Sequence, residues 1–126
     1  MFGICSKVPQ ISSNSVHSIL NEKFSYLVGG GPNDRTYWFL AVHMGKTFYG
    51  ADIPKFTKED EQKIIERHWN DYITPDLRFS DLYRRSHFSF YTPLQEQVYK
   101  RWYFDRMLTI GDASHKVSIK LPSGEK

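Results

Sequence analysis

The sequence predicts an α+β fold, a mixed or antiparallel sheet with helices on one face, and three observations predict it. Two aromatic and β-branched runs, residues 22–28 and 35–44, flank the turn-forming Gly29-Gly30-Gly31-Pro32. A helix-start signature at Thr57 opens an apolar stripe with helical spacing. Further on, Phe88 and Phe90 alternate with His87, Ser89 and Tyr91, the period of a strand with one face buried. The order hairpin, helix, strands suits two packed layers.

The elements follow in order. Residues 2–8 read as a first strand, and Ser12-Ser13-Asn14-Ser15 as a polar turn. Phe24, Tyr26 and Val28 share one face of the next strand, the glycine cluster through Asp34 turns the chain, and residues 35–44 return antiparallel. Thr57 is a good N-cap with Asp60 at the capping-box distance and Glu59 near the positive helix end. Ile64, Ile65, His68, Trp69 and Tyr72 then form one apolar helix face, which Pro75 terminates. Ser80-Asp81 opens a second, short helix through Arg85. Residues 97–103 and 106–110 read as strands around a turn at Phe104-Asp105.

A chain of 126 residues is one domain's worth, and 40% hydrophobic content argues for a folded protein. The net charge of +3 is spread rather than concentrated; Arg84-Arg85, Lys100-Arg101 and Arg106 read as a solvated sheet edge, so no nucleic-acid partner is expected. The single cysteine, Cys5, excludes an internal disulfide. The five histidines lack metal-ligand spacing, so no metal site is expected. No apolar run reaches the length of a membrane span, and Met1-Phe2-Gly3-Ile4-Cys5 lacks the features of a signal peptide. The expected location is intracellular and cytoplasmic, with membrane association of a longer parent left open.

The stretch with the most chemistry is Thr109-Ile110-Gly111-Asp112-Ala113-Ser114-His115-Lys116, where an apolar run ends in a Gly-Asp pair. Gly111 lets a ligand approach the main chain closely, and the Asp112 carboxylate accepts hydrogen bonds from sugar hydroxyls. A helix opening just beyond would aim free N–H groups at a phosphate or an electron-rich ring. Taken alone, Gly-Asp followed by two small residues is a common strand-to-helix turn.

Its neighbours strengthen the signal. Phe2-Gly3-Ile4, Tyr37-Trp38-Phe39-Leu40, Asp52-Ile53-Pro54-Lys55-Phe56-Thr57-Lys58-Glu59-Asp60, Phe79-Ser80-Asp81-Leu82-Tyr83 and Lys100-Arg101-Trp102-Tyr103-Phe104-Asp105-Arg106 all precede it. In this order the chain resembles the class A flavoprotein monooxygenases of the para-hydroxybenzoate hydroxylase type, and most closely fungal members acting on terpenoid and polyketide intermediates. The resemblance implies that residues 1–105 are the substrate-binding sheet region of the middle of such a protein. Residues 106–116 would be the return strand with the Gly-Asp element that contacts the ribityl chain of FAD, and 117–126 a divergent tail. It implies cofactor contacts by Gly111, Asp112, Ala113 and His115, the last in a structural role.

The resemblance further implies an NAD(P)H- and O2-using, FAD-dependent hydroxylation or epoxidation of an apolar secondary metabolite, with the hard chemistry on the cofactor. No side chain is singled out as catalytic. Tyr26, Trp38, Phe88 and Phe90 are the candidate substrate wall, as inward aromatics whose default role, residue by residue, is core filling. The family's G-x-G-x-x-G turn is absent, and Gly29-Gly30-Gly31-Pro32 does not replace it, so this chain is expected to be an incomplete portion, inactive alone. Val117-Ser118 can be encoded by an intron donor sequence, so the tail is expected to be translated intron and Met1 an internal methionine. Strand 106–110, lacking its sheet, is expected to drive self-association. The rival reading is a non-enzymatic α+β module that binds an apolar ligand or a partner protein.

Overall fold

Alternation along two eight-residue strands decides which side chains enter the core. The computed structural model describes residues 1–116, so the expectations about the tail lie outside the described residues. The chain runs β1 (Phe2–Ser6), β2 (Val16–Leu20), β3 (Phe24–Gly31), β4 (Arg35–Val42), α1 (Lys58–His68), β5 (Tyr72–Thr74), β6 (Leu77–Arg78), α2 (Phe79–Arg84) and β7 (Ser86–Phe90). Four two-residue strands follow: β8 (Gln97–Val98), β9 (Tyr103–Phe104), β10 (Met107–Leu108) and β11 (His115–Lys116).

The main sheet has the order β2-β3-β4-β1-β7, and every neighbouring pair is antiparallel. Strand β3 extends through the glycine cluster, pairing Gly29, Gly30 and Gly31 with Tyr37, Thr36 and Arg35. The turn is therefore shorter than the sequence suggests, and Asn33 and Asp34 take the left-handed conformation that Asn and Asp tolerate. Strand β2, unannounced by its mixed composition, forms the far edge against β3.

Both helices pack on one face, as expected of the α+β class. Cys5, Tyr26, Val28, Trp38 and Leu40 from the sheet meet Ile64 and Ile65 of α1 and Phe79 and Leu82 of α2 in a single core. Phe79 is its keystone, with ring centroids 5.1 Å from Trp38 and 5.5 Å from Tyr26. Gly3 is a close-approach glycine: an added Cβ would overlap the Trp38 indole.

Helix α1 begins as the sequence predicts. Thr57 Oγ1 accepts from Asp60 N (3.2 Å), and Asp60 Oδ2 accepts from Thr57 N (3.0 Å). It ends earlier than expected, at His68, and Tyr72 belongs to strand β5. The backbone turns because Asp71 N donates to His68 O (3.0 Å), while Phe79 N donates back to Asp71 O (2.9 Å). Pro75 lies in the turn of the small β5–β6 hairpin instead of at the helix end. Of the expected strands over 97–103 and 106–110 only Gln97–Val98, Tyr103 and Met107–Leu108 are strand. Phe104, expected in the turn, belongs to the β9–β10 hairpin, β8 pairs with β11, which lies outside both expected strands, and residues 101–113 are exposed throughout.

Candidate functional site

The Gly-Asp element is a three-residue 3-10 turn, Gly111–Ala113. Gly111 sits at φ +60, a left-handed conformation that accounts for glycine there, and nothing lies within 4 Å of where its Cβ would be. Ser114 is fully buried, and its N–H and hydroxyl both donate to Gly111 O (2.9 Å each). Strand β11 follows directly, so the chain does not continue here as the helix that a strand-to-helix turn would supply. Asp112 is exposed, and the His115 ring stacks on Trp102, with centroids 5.2 Å apart and planes 14° apart. The open main chain at Gly111 thus lies beside an exposed carboxylate.

The four candidate wall residues are not brought together. Tyr26 and Trp38 lie beneath the helices, where Tyr26 is 1% and Trp38 0% exposed. Trp38 Nε1 donates to Ser86 Oγ (3.0 Å) and Tyr26 OH to Asp71 Oδ2 (3.0 Å). Burial, reinforced by the Asp71 carboxylate, pushes the Tyr26 phenol far above its ordinary range.

Phe88 and Phe90, expected to point inward, instead stand on the opposite, open face, 52% and 53% exposed. Register explains the reversal. Strand β7 pairs Phe90 with Phe2, Ser89 with Gly3 and Phe88 with Ile4, which puts Ser86 and Ser89 on the core side. Both serines have partners there: Ser86 Oγ donates to Leu82 O (2.9 Å), and Ser89 Oγ donates to the buried Glu61 carboxylate (2.6 Å).

The open face is a larger feature than those two rings. Cross-strand register lines up Leu27, Phe39, Phe2 and Phe90 in one row over four strands, with Tyr37, Ile4 and Phe88 in the next. The Phe2 and Phe39 rings are 4.7 Å apart. Among the described residues no helix covers this row, which makes it an exposed apolar platform. Phe39 alternates with Trp38, and Leu27 with Tyr26 and Val28; that parity was the available signal for the second face.

Polar groups gather on the helix side. His68 Nδ1 contacts Asp71 Oδ2 at 2.7 Å, so one carboxylate joins the end of α1 to Tyr26, while His68 Nε2 is buried without a partner. A shallow cavity of about 460 Å³, lined by Trp69, Tyr72, Arg78 and Arg84 among others, lies next to this corner. Two of its lining residues, Arg78 and Arg84, lie over the Tyr72 and Trp69 rings. Among the described residues there is no cluster of three or more His, Cys, Asp or Glu that could hold a metal ion, and no helix long and apolar enough to cross a membrane.

No family model matches the chain, and no solved structure matches it. Curated relatives do. The chain is 30% identical over 124 residues to the FAD-dependent monooxygenase spyC of Aspergillus fumigatus, an alignment covering 98% of this chain and 26% of that protein. It is 31% identical to the FAD-dependent monooxygenase olcE of Penicillium canescens (98% of this chain, 27% of the relative). It is 30% identical to the FAD-dependent monooxygenase cdmI of Talaromyces verruculosus (98% and 26%). The chain thus spans about a quarter of the length of these relatives. Over nearly all of its own residues it matches fungal FAD-dependent monooxygenases, as a partial chain of that family does.

Proposed function

We propose that this chain is the substrate-wall portion of an FAD-dependent monooxygenase acting on an apolar small molecule. The observation that carries the reading is the open aromatic face, in a chain that aligns with FAD-dependent monooxygenases over 98% of its length. Phe2, Phe39, Phe88 and Phe90 would bind the substrate by apolar contact and exclude water from it. Asp112 would accept from the ribityl hydroxyls, and Gly111 would let the cofactor approach the main chain. Ala113 and His115 flank that contact, His115 as a structural support. Bound FAD, with NAD(P)H as electron donor and O2 as co-substrate, would supply the oxygen transfer, a hydroxylation or an epoxidation.

Two titrations test this. Wild-type chain should quench FAD fluorescence saturably, however weakly, and Asp112→Ala should reduce the quenching. Phe88→Ser with Phe90→Ser should weaken binding of an apolar fluorescent probe without changing the FAD response. Probe binding with no FAD response at any concentration would refute the flavin reading. That outcome favours a module that binds an apolar ligand or partner without chemistry, a second reading to which the open face is equally suited.

A further inference from the structure

The ties that hold residues 109–115 converge on Trp102. Ahead of the Gly111 turn, Thr109 donates both its N–H (2.8 Å) and its hydroxyl (2.9 Å) to Trp102 O. Behind it, the His115 ring stacks on the indole. The third tie is indirect: Trp102 Nε1 donates to Tyr99 O (2.7 Å), and Tyr99 N donates to Ser114 O (3.0 Å). Within the turn, two Ser114 donations to Gly111 O maintain its shape, and Ser114 Oγ also lies 3.1 Å from His115 Nδ1.

Little else can do this work. Strands β8 to β11 are two residues each, too short to be stable as isolated ladders. Trp102 is 42% exposed and lies outside the main core cluster, so its ring supports this corner and not the sheet.

We propose that Trp102 is the positioning residue of the Gly111–Ala113 turn, a clamp that holds the Asp112 carboxylate and the open main chain of Gly111 in the orientation a flavin would meet. What is being positioned rests on the flavin reading above; the clamp rests on the contacts alone. The side chain supplies two separable parts, a flat ring for His115 and an N–H for Tyr99. The Thr109 tie uses the backbone of residue 102 and survives truncation of the ring.

Amide hydrogen exchange on the intact chain, in wild type, Trp102→Ala and Trp102→Phe, tests the clamp. Trp102→Ala should speed exchange of the Ser114 and Tyr99 amides tenfold or more, that of Thr109 less, and those of Val28 and Leu40 not at all. Trp102→Phe keeps a ring for His115 and should restore most of the Ser114 protection. Unchanged exchange in Trp102→Ala overturns the proposal. So does acceleration that reaches Val28 and Leu40, or equal loss in the Ala and Phe variants. FAD quenching is then read on the same three proteins. Loss of quenching in the order of Ser114 exchange supports the positioning role. Absence of quenching in wild type, with the exchange pattern intact, overturns the flavin assignment while the clamp stands.

Discussion

Replacing Gly3 by alanine places a methyl group inside the Trp38 indole, overlapping Cζ2 and Cε2 and lying 2.7 Å from Nε1. The indole has nowhere to go. It is fully buried, with Phe79 edge-on at 5.1 Å and an interplanar angle of 82°. Overpacking of a filled core costs about 1–3 kcal/mol. Displacing the ring also breaks the Trp38 Nε1 bond to Ser86 Oγ, and a buried donor left unpaired costs about 1–3 kcal/mol. Alanine returns roughly 0.5–1 kcal/mol through its lower conformational entropy in the unfolded chain. The expected net loss is therefore about 1–5 kcal/mol, a large part of the margin of a small domain. Urea unfolding followed by far-UV circular dichroism measures it without relying on tryptophan emission. A double-mutant cycle locates the cause: in a Trp38→Phe background the same substitution should cost less, with a coupling of about 1–2 kcal/mol. A loss below about 0.5 kcal/mol, or strict additivity, would refute the close-packing argument.

Five further outcomes are expected. Thr57→Ala should cost about 1 kcal/mol in chemical denaturation through loss of the α1 cap. The Thr57 N–H first, and its hydroxyl second, hold the Asp60 carboxyl below its ordinary value, so the stability gap between wild type and Asp60→Asn should be present above the normal carboxylate range and close as pH falls through the lowered value. Asp71→Ala strands the Tyr26 hydroxyl and the His68 ring, an expected loss of about 2–4 kcal/mol, and Tyr26→Phe in the same chain should recover part of it. Burial, opposed by Arg85, pushes the Cys5 thiol up to about 11; native protein should resist thiol reagents, and stability should decline as pH rises from the ordinary thiol value of 9.0 towards that figure, because the unfolded chain releases the proton first. Met107, Leu108 and Ile110 are at least 66% exposed, so if strand 106–110 drives self-association, Leu108→Lys should lower the sedimentation coefficient at high concentration.

What could be read from the residues was local. Thr57 and Asp60 cap a helix by rules that act over three positions, and Phe24, Tyr26 and Val28 share a face by strict alternation. Which face β7 buries was not local. It depends on the pairing of Phe2 with Phe90 and on a buried Glu61 waiting for Ser89, neither visible from residues 86–90 alone. Likewise the helical spacing of Trp69 and Tyr72 continues past His68, but Asp71 is held by Tyr26 from the sheet and the chain turns. At the candidate site, Gly111 was expected for the close approach of a ligand, whereas the left-handed φ that accounts for glycine there could not be read from its neighbours. The partnership of Trp102 with His115 was not, because it joins segments thirteen positions apart through a turn that short strands alone define.

Strand β1 occupies an interior position in the sheet although it precedes both of its neighbouring strands in sequence. Its Phe2 has one neighbour in Phe39 and the other in Phe90. The β2–β3–β4 meander can form from contiguous chain, whereas β1 must be captured first by β4 and then, after both helices have been synthesised, by β7. Distant pairings of this sort slow the search for the native state and leave strand edges uncovered meanwhile. The hydrophobic platform is thus assembled last, from its two most widely separated pieces, and the yield of folded chain should depend more on the rate of that final docking than on the stability of any hairpin.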